Sequence, residues 1–513
     1  MTDGGTPEQA DRRPALKSRH LTMIGLGGVI GSGLFVGSGA GIASAGPGIL
    51  LSFMLAGALA TLVMRMLGEL AAALPDSGSF SAYAERAFGS WAGFTVGWLH
   101  WWTLCIAIAA EATAAGAVLH GLAPAVPHWC FTLAVMSLFT VLNLAAVGVF
   151  GEFEFWLAGI KVAALVGFLV LGALAIAGLL PGVEAPGTSL LTGHGGFLPH
   201  GWAAVVTGFV TVLFSFGGME VVAIGAAESR DPSTAVVRAV RATLWRILLF
   251  FIGSIAVIVM LLPWDSAAEG RSPFVAVLDR LGIPAAAGIM DVVILVALLS
   301  ALNANLYAAS RMVRSLADRG EAPRRMAAVS RRGAPWPAVL LSTGLGFVGV
   351  LLTWLSPDTV FPFLATSIGA TMLFVWLAIV GSQIVLRPRL EREAPHTLRV
   401  RMWGFPYLSW VALAVIIAGM ALMATSDRTR PQLLSTSVVV AVLLAVAAAR
   451  ARRSRADRAG KTHIPEGPAR APLQEPHGVL VVGSVSDGGA DLHRDPSPNG
   501  LRRRPRDGIA PGE

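Results

Sequence analysis

Residues Thr22–Gly41, TMIGLGGVIGSGLFVGSGAG, set a conflict that constrains the rest of the chain. The stretch is apolar and about 20 residues long, the length that crosses a bilayer as a helix. It also carries Gly25, Gly27, Gly28, Gly31, Gly33, Gly37, Gly39 and Gly41. Each glycine costs a helix interior roughly 0.5–1 kcal/mol relative to alanine. Irregular backbone at membrane depth survives only where it is buried in protein or lines a wet cavity. One reading is a helix broken near the midplane at Gly31-Ser32-Gly33, with unpaired N–H groups opening its outer half. Such an end concentrates donors and positive partial charge and suits an anion. Taken alone, close helix packing through Gly27/Gly31 and Gly33/Gly37 fits as well. A dinucleotide loop does not fit, because no strand precedes the glycines. A cleaved signal peptide would use Arg12, Arg13, Lys17 and Arg19 with Ala43-Ser44-Ala45; the glycine density and the spans that follow argue against it.

Apolar runs repeat to the end of the chain, with 54% hydrophobic and 14% charged residues, against ~25% charged in soluble domains. This composition predicts an all-α polytopic membrane protein. We expect about twelve spans: 22–41, 48–74, 91–119, 129–148, 155–180, 202–227, 243–263, 288–310, 336–355, 360–386, 403–424 and 433–449. The net charge of +8 does not indicate nucleic acid, since 33 of the 39 Lys and Arg residues fall at the termini and in alternate loops on one side. The other side has only Arg271, Arg280, Arg428 and Arg430, which places both termini in the cytoplasm. The expected layout is a cytoplasmic N-terminus over 1–20, a transmembrane domain over 21–450 and a disordered cytoplasmic tail over 451–513. Asp76–Ser90 reads as a short helix along the inner surface. Cys105 and Cys130 imply no disulfide framework.

The sixth span contains a second break, Phe214-Ser215-Phe216-Gly217-Gly218-Met219-Glu220. Spans one and six are each the first of five. Interrupted helices at matching places in two halves point to a central site in an inverted-repeat transporter. That coincidence moves the balance from packing toward binding. Ionisable residues within spans cost ~2.5 kcal/mol upward and mark function by default. Lys161 needs partners, which carbonyls freed by the first break could supply; a fixed structural cation is the alternative. Glu111 and Glu220 are candidates to receive a proton or to meet a substrate amine. Arg65 and Glu69, four apart, suit a structural pair. Asn303 and Tyr307 present one polar face of span eight. Phe214 and Phe216 suit either an alkyl-binding or a packing role. No nucleotide loop, metal cluster, hydrolase set or selectivity filter is present, so neither a cofactor nor enzymatic chemistry is expected.

The chain from about 16 to 450 resembles the amino acid transporter family of the amino acid–polyamine–organocation superfamily. The resemblance rests on LKSRH at 16–20, GVIGSGLFVGSG at 28–39, AGPG at 45–48 and MRMLGEL at 64–70. It continues through PDSGSFSAYAERAFG at 75–89, GEFEFWLAGIKV at 151–162 and AAESRDP at 226–232. Within that family the chain looks most like bacterial 4-aminobutyrate (GABA) permeases, on FSFGGMEVVAIGAAES, LWRILLF with LLPW, MDVVILV with LNANLYAASRM, and LRVRMWGFPYLSW.

The resemblance implies a proton-driven importer in the bacterial inner membrane with a five-plus-five inverted repeat and discontinuous helices 1 and 6. Its partners would be a small amino acid, protons and the lipid bilayer. Carried over by position, a substrate carboxylate meets N–H groups around Ile30, Gly31, Ser32 and Gly33. The amine meets carbonyls around Phe214, Ser215, Phe216 and Gly217, with Asn303 nearby. Lys161 takes the place of the lysine that substitutes for sodium in proton-coupled relatives, and Glu220 matches the acid after the second break. One departure is Gly-Ser-Gly in the first break, where a GABA permease is expected to have another small residue at one glycine. GABA or a related ω-amino acid is the expected substrate. A neutral α-amino acid (proline, alanine or an aromatic), an exchanger and a non-transporting sensor are the alternatives.

Overall fold

The protein's structure is a computed structural model that describes residues 29–76, 79–145, 150–182, 185, 188–193, 195–220, 232–266, 272–331 and 333–461. The expectations for 1–28, including Gly25, Gly27 and Gly28, for the AAESRD portion of the 226–232 motif and for the tail past 461 lie outside the described residues. All regular structure among the described residues is helical.

The first expected span opens as two short pieces, α1 (Ser32–Phe35) and α2 (Gly37–Ala45), followed by a turn at Gly46–Gly48. Then come α3 (Ile49–Ala73), α4 (Ser79–Phe88), α5 (Ser90–Leu122), α6 (His128–Ala145) and α7 (Phe150–Ile176). A single turn, α8 (Ser189–Thr192), precedes α9 (Gly201–Leu213). The second half continues with α10 (Pro232–Leu261), α11 (Pro273–Arg280), α12 (Pro284–Asp318) and α13 (Trp336–Leu355). It closes with α14 (Pro357–Glu393), α15 (Tyr407–Thr425) and α16 (Arg430–Lys461).

Ten stretches of the described residues are long and apolar enough to cross a membrane, the first of them Ser32–Ala73, and Gly201–Phe216 is a shorter apolar helix. Each expected span overlaps a helix. Two ends differ. α14 extends on both sides of the expected 360–386, carrying Pro362 and Pro388 within it. α16 runs beyond residue 449 to Lys461, through alanine- and arginine-rich sequence whose residues favour helix even when solvated.

The outer surface of the bundle is apolar. Leu249, Ile289, Leu351 and Val438 are exposed, large apolar side chains that suit lipid better than water. Trp91, Trp202, Trp336, Trp354 and Tyr407 are exposed at helix ends, where amphipathic rings suit the membrane–water boundary. The chain is a multi-pass membrane protein.

Inside, α5 packs against α4, α6, α12, α13 and α14. α2 packs against α9, α3 against α10, α5 against α12 and α6 against α13. The connector α4 is helical as expected, with Phe80, Ala82, Tyr83 and Ala84 buried against α5 and α14. Glu69 on α3 is fully buried, and its carboxylate accepts hydrogen bonds from Arg387, from Gln383 Nε2 at 2.9 Å and from the Met402 amide. Arg387 thus bridges α14 to α3. The neighbouring Arg65 donates to the Arg401 carbonyl at 2.9 Å and lies over Trp403.

Candidate substrate site at two helix breaks

The two breaks meet. Ser215 Oγ donates to the Gly33 carbonyl at 3.0 Å, joining the second interruption to the first across 182 residues of sequence. Glycine makes this approach possible. A Cβ on Gly33 would lie 2.7 Å from Ser215 Cα, and one on Gly31 would lie 2.6 Å from Glu111 Oε1 and 2.9 Å from Ala301 Cβ. Backbone atoms cannot give way as a flexible side chain can. Glycine here is therefore needed for close approach rather than for an unusual φ.

The first interruption places Ile30, Gly31, Ser32 and Gly33 in the interior, all of them buried. The helix resumes at Ser32, and the opening N–H of such a segment has no partner within its own helix. Glu111 of α5 supplies one. Ser32 N lies 3.1 Å from both carboxylate oxygens, and Ser32 Oγ donates to Oε1 at 2.8 Å. The partner at this helix opening is thus a side chain of the protein itself.

The second interruption follows α9, where a 3₁₀ turn over Phe214–Phe216 gives way to an extended Gly217 at φ −63° and ψ 145°. Gly217 N donates to the Phe214 carbonyl at 3.0 Å. Phe214 lies 6.3 Å from the Phe361 ring. Phe216 packs at 6.2 Å from Phe53 and 5.3 Å from Phe251, so its ring belongs to the core that joins the second break to α3 and α10.

Lys161 of α7 is fully buried and interacts electrostatically with two carboxylates, Glu111 and Glu154. Glu154 was not among the expected site residues. Its Oε1 accepts from Ser300 Oγ of α12 at 2.5 Å, and its Oε2 has no hydrogen-bond partner among the described residues. The spacing in GEFEFWLAGIKV held the clue: residues 154 and 161 are seven apart, two helical turns, and lie on one face. Asn303 Oδ1 accepts from Asn143 Nδ2 at 2.8 Å. Glu220 is buried beyond the second break, with Gly218 N donating to Oε1 at 3.4 Å.

A polar centre thus lies between α1, α5, α7 and the second break. It offers a close-packed backbone interruption, one lysine and two carboxylates in reach of that lysine. On one side it is covered by Ser272, whose Oγ donates to the Phe35 carbonyl at 2.6 Å, and by Phe274, edge-on to Phe35 at 5.0 Å. A separate apolar recess between α5, α13, α14 and α16 is lined by Trp102, Ile106, Leu345, Phe363 and Val439 and contains none of these groups.

Known proteins resemble this chain. The sequence profile described as amino acid permease matches residues 20–458. A γ-aminobutyric acid permease of Bacillus subtilis is 47% identical over 436 residues, covering 85% of this chain and 93% of that protein. A γ-aminobutyric acid permease of Escherichia coli is 45% identical over 83% of this chain and 91% of its own length. An aromatic amino acid transport protein of Corynebacterium glutamicum is 45% identical over 84% and 93%. Among solved structures, a mutant manganese transporter of Eremococcus coleocola superposes with a TM-score of 0.55 at 14% identity, covering 85% of this chain and 93% of that one; that likeness concerns the fold alone. With a profile match across most of its length and relatives near half-identity, the chain belongs to the amino acid permease family.

Proposed function

We propose that the protein is a proton-coupled importer of a small zwitterionic amino acid, GABA or a related ω-amino acid first. The observation that carries this reading is the junction of the two breaks beside a buried lysine and its carboxylates. A zwitterion needs donors at one end and acceptors at the other. Ile30–Gly33 would supply N–H groups to its carboxylate, and carbonyls of Phe214–Gly217 would receive its ammonium. The names of the B. subtilis and E. coli relatives support GABA as the substrate.

Coupling follows from competition at Ser32. A substrate carboxylate arriving at that amide meets the Glu111 carboxylate already seated there. Two like charges at one donor repel, so substrate binding is favoured when Glu111 is protonated. Proton and substrate are then taken up together. Glu220 is a second proton carrier in this scheme. The remaining layout is twelve spans in a five-plus-five inverted repeat, both termini in the cytoplasm, in the bacterial inner membrane. Contacts between corresponding spans of the halves support the repeat, and the one-sided distribution of Lys and Arg supports the orientation.

The test is uptake of labelled GABA into proteoliposomes with and without an inward proton gradient, with proline and phenylalanine as competitors. Gradient-dependent uptake that neither blocks is the expected result. Block by phenylalanine would move the substrate to the aromatic class, which the C. glutamicum relative favours. Uptake indifferent to the gradient but dependent on internal substrate would make the protein an exchanger.

A further inference from the structure

α5 carries a second buried ionisable group that the two breaks do not use. His100 is 1% exposed, and its Nδ1 lies 4.0 Å from Glu220 Oε1. Among the described residues, His100 Nδ1 and Glu220 Oε2 both lack a hydrogen-bond partner. A buried polar atom left without a partner is unfavourable. Here two such atoms belong to neighbouring side chains, one able to give a hydrogen and the other to take it. At 4.0 Å the pair is one small side-chain rotation, or one bridging water, from a hydrogen bond.

The position gives the pair a direction. His100 is 11 residues from Glu111 on the same helix, about 16 Å along its axis at 1.5 Å per residue. It lies toward the end of α5 that joins α4, the side to which the Lys and Arg distribution assigns the cytoplasm. The Phe80 ring of α4 stands edge-on to His100 at 4.8 Å. Other ionisable groups on α5 and the elements around it are held elsewhere: Glu111 at Ser32, Arg387 at Glu69, Arg319 at Ser81, and Arg86 at Asp76. Glu85 lies with Glu321, Arg314 pairs with Asp318, and His128 bonds the Thr113 carbonyl near the far end of α5. Tyr83 of α4 has a buried hydroxyl without a partner among the described residues.

We propose that His100 is the acceptor that takes the coupled proton from Glu220 and passes it toward the α4 side, an inference that rests on proton coupling as read above. In the transfer the O–H bond of the Glu220 carboxyl breaks as an N–H bond forms at His100 Nδ1. A carboxylate is left beside an imidazolium. Loss of that proton to water on the α4 side restores the neutral ring, and Glu220 is free to accept the next proton.

The experiment compares the full-length wild type with His100→Gln in proteoliposomes enclosing a pH-sensitive dye. Exchange of labelled for unlabelled GABA, which needs no net proton movement, should persist within about twofold. Substrate-linked acidification and gradient-driven accumulation should fall at least about tenfold. Acidification per GABA equal to wild type in the variant would overturn the relay and leave proton coupling standing. GABA uptake without acidification in the wild type would overturn proton coupling itself, and the relay with it. A measurement on the wild type alone covers a variant that does not fold. Infrared difference spectra on adding GABA, with and without ¹⁵N-histidine, should contain an isotope-sensitive imidazole band, and its absence would overturn the relay.

Discussion

Glu111 and Ser32 are joined by both the backbone and the side chain of the serine: the carboxylate takes the Ser32 amide at 3.1 Å and the hydroxyl at 2.8 Å. A helix that begins inside a membrane bundle leaves its opening donor without water, and an unmade hydrogen bond there costs roughly 1–3 kcal/mol. Glu111 supplies the partner from a different span. In the scheme proposed above, that carboxylate is the first thing a substrate anion must displace.

The first prediction concerns the close approach of the breaks. Gly33→Ala puts a methyl group 2.7 Å from Ser215 Cα, and backbone must move to admit it. GABA binding, measured by exchange, should weaken by at least about tenfold, or ~1.4 kcal/mol. Unchanged affinity would remove the junction from the substrate site.

Lys161→Met tests the buried cation. Without it, Glu111 and Glu154 lose the opposite charge that acts on both. Gradient-driven accumulation should fall by about 100-fold while exchange falls much less. Full accumulation by the variant would take the lysine out of coupling.

The Glu69–Arg387 pair is a stability element. Breaking a buried pair from one side leaves an uncompensated charge, a loss of about 3–5 kcal/mol. Glu69→Ala and Arg387→Ala should each lower the melting temperature in detergent. The double variant should lose less than the two singles together; additive losses would show that the two charges do not depend on each other.

Glu321, in the loop after α12, gives a pH dependence outside the spans. Burial holds its carboxyl above the ordinary 4.5, opposed by the Arg319 guanidinium and reinforced by Glu85. An acid whose folded pKa is raised binds its proton more tightly when folded. Its favourable contribution is therefore present below 4.5 and is lost as pH rises through the folded value. Glu321→Gln should raise the melting temperature relative to wild type at neutral pH, with the gap closing toward pH 4. A gap that widens on acidification would reverse the assignment.

The breaks were legible because glycine is expensive in a helix and was present at matching places in both halves. Lys161 was legible because a cation in a run of Ala, Val and Leu must find partners, whether its role is structural or functional. Glu154 was legible in principle from its two-turn spacing to Lys161, yet it sits in a motif crowded with aromatic residues and a second glutamate. Long-range partners were not legible. Glu69 had a local candidate in Arg65, four residues away, whereas Arg387 lies 318 residues distant. Asn303 had the right type and face for a site residue, but only the packing of α6 against α12 reveals Asn143 as its partner. His100 was hidden among the tryptophans of WLHWW, and its meaning depends on a neighbour from the second break.

The trio of Glu111, Glu154 and Lys161 also sets the electrical character of the cycle proposed above. Ionised together they carry one net negative charge, and a single proton cancels it. With Glu220 protonated in both states, the centre with proton and zwitterion aboard is electrically silent as it crosses; empty, it carries a charge of minus one. Membrane voltage, worth about 2.3 kcal/mol per elementary charge per 100 mV, would then act on the return of the empty carrier and not on the loaded step. Voltage jumps on substrate-free membranes should displace charge, and saturating GABA with protons should suppress that displacement. An interior that is negative would drive uptake by pulling the vacant site back outward, so the battery resets the machine more than it pushes the cargo.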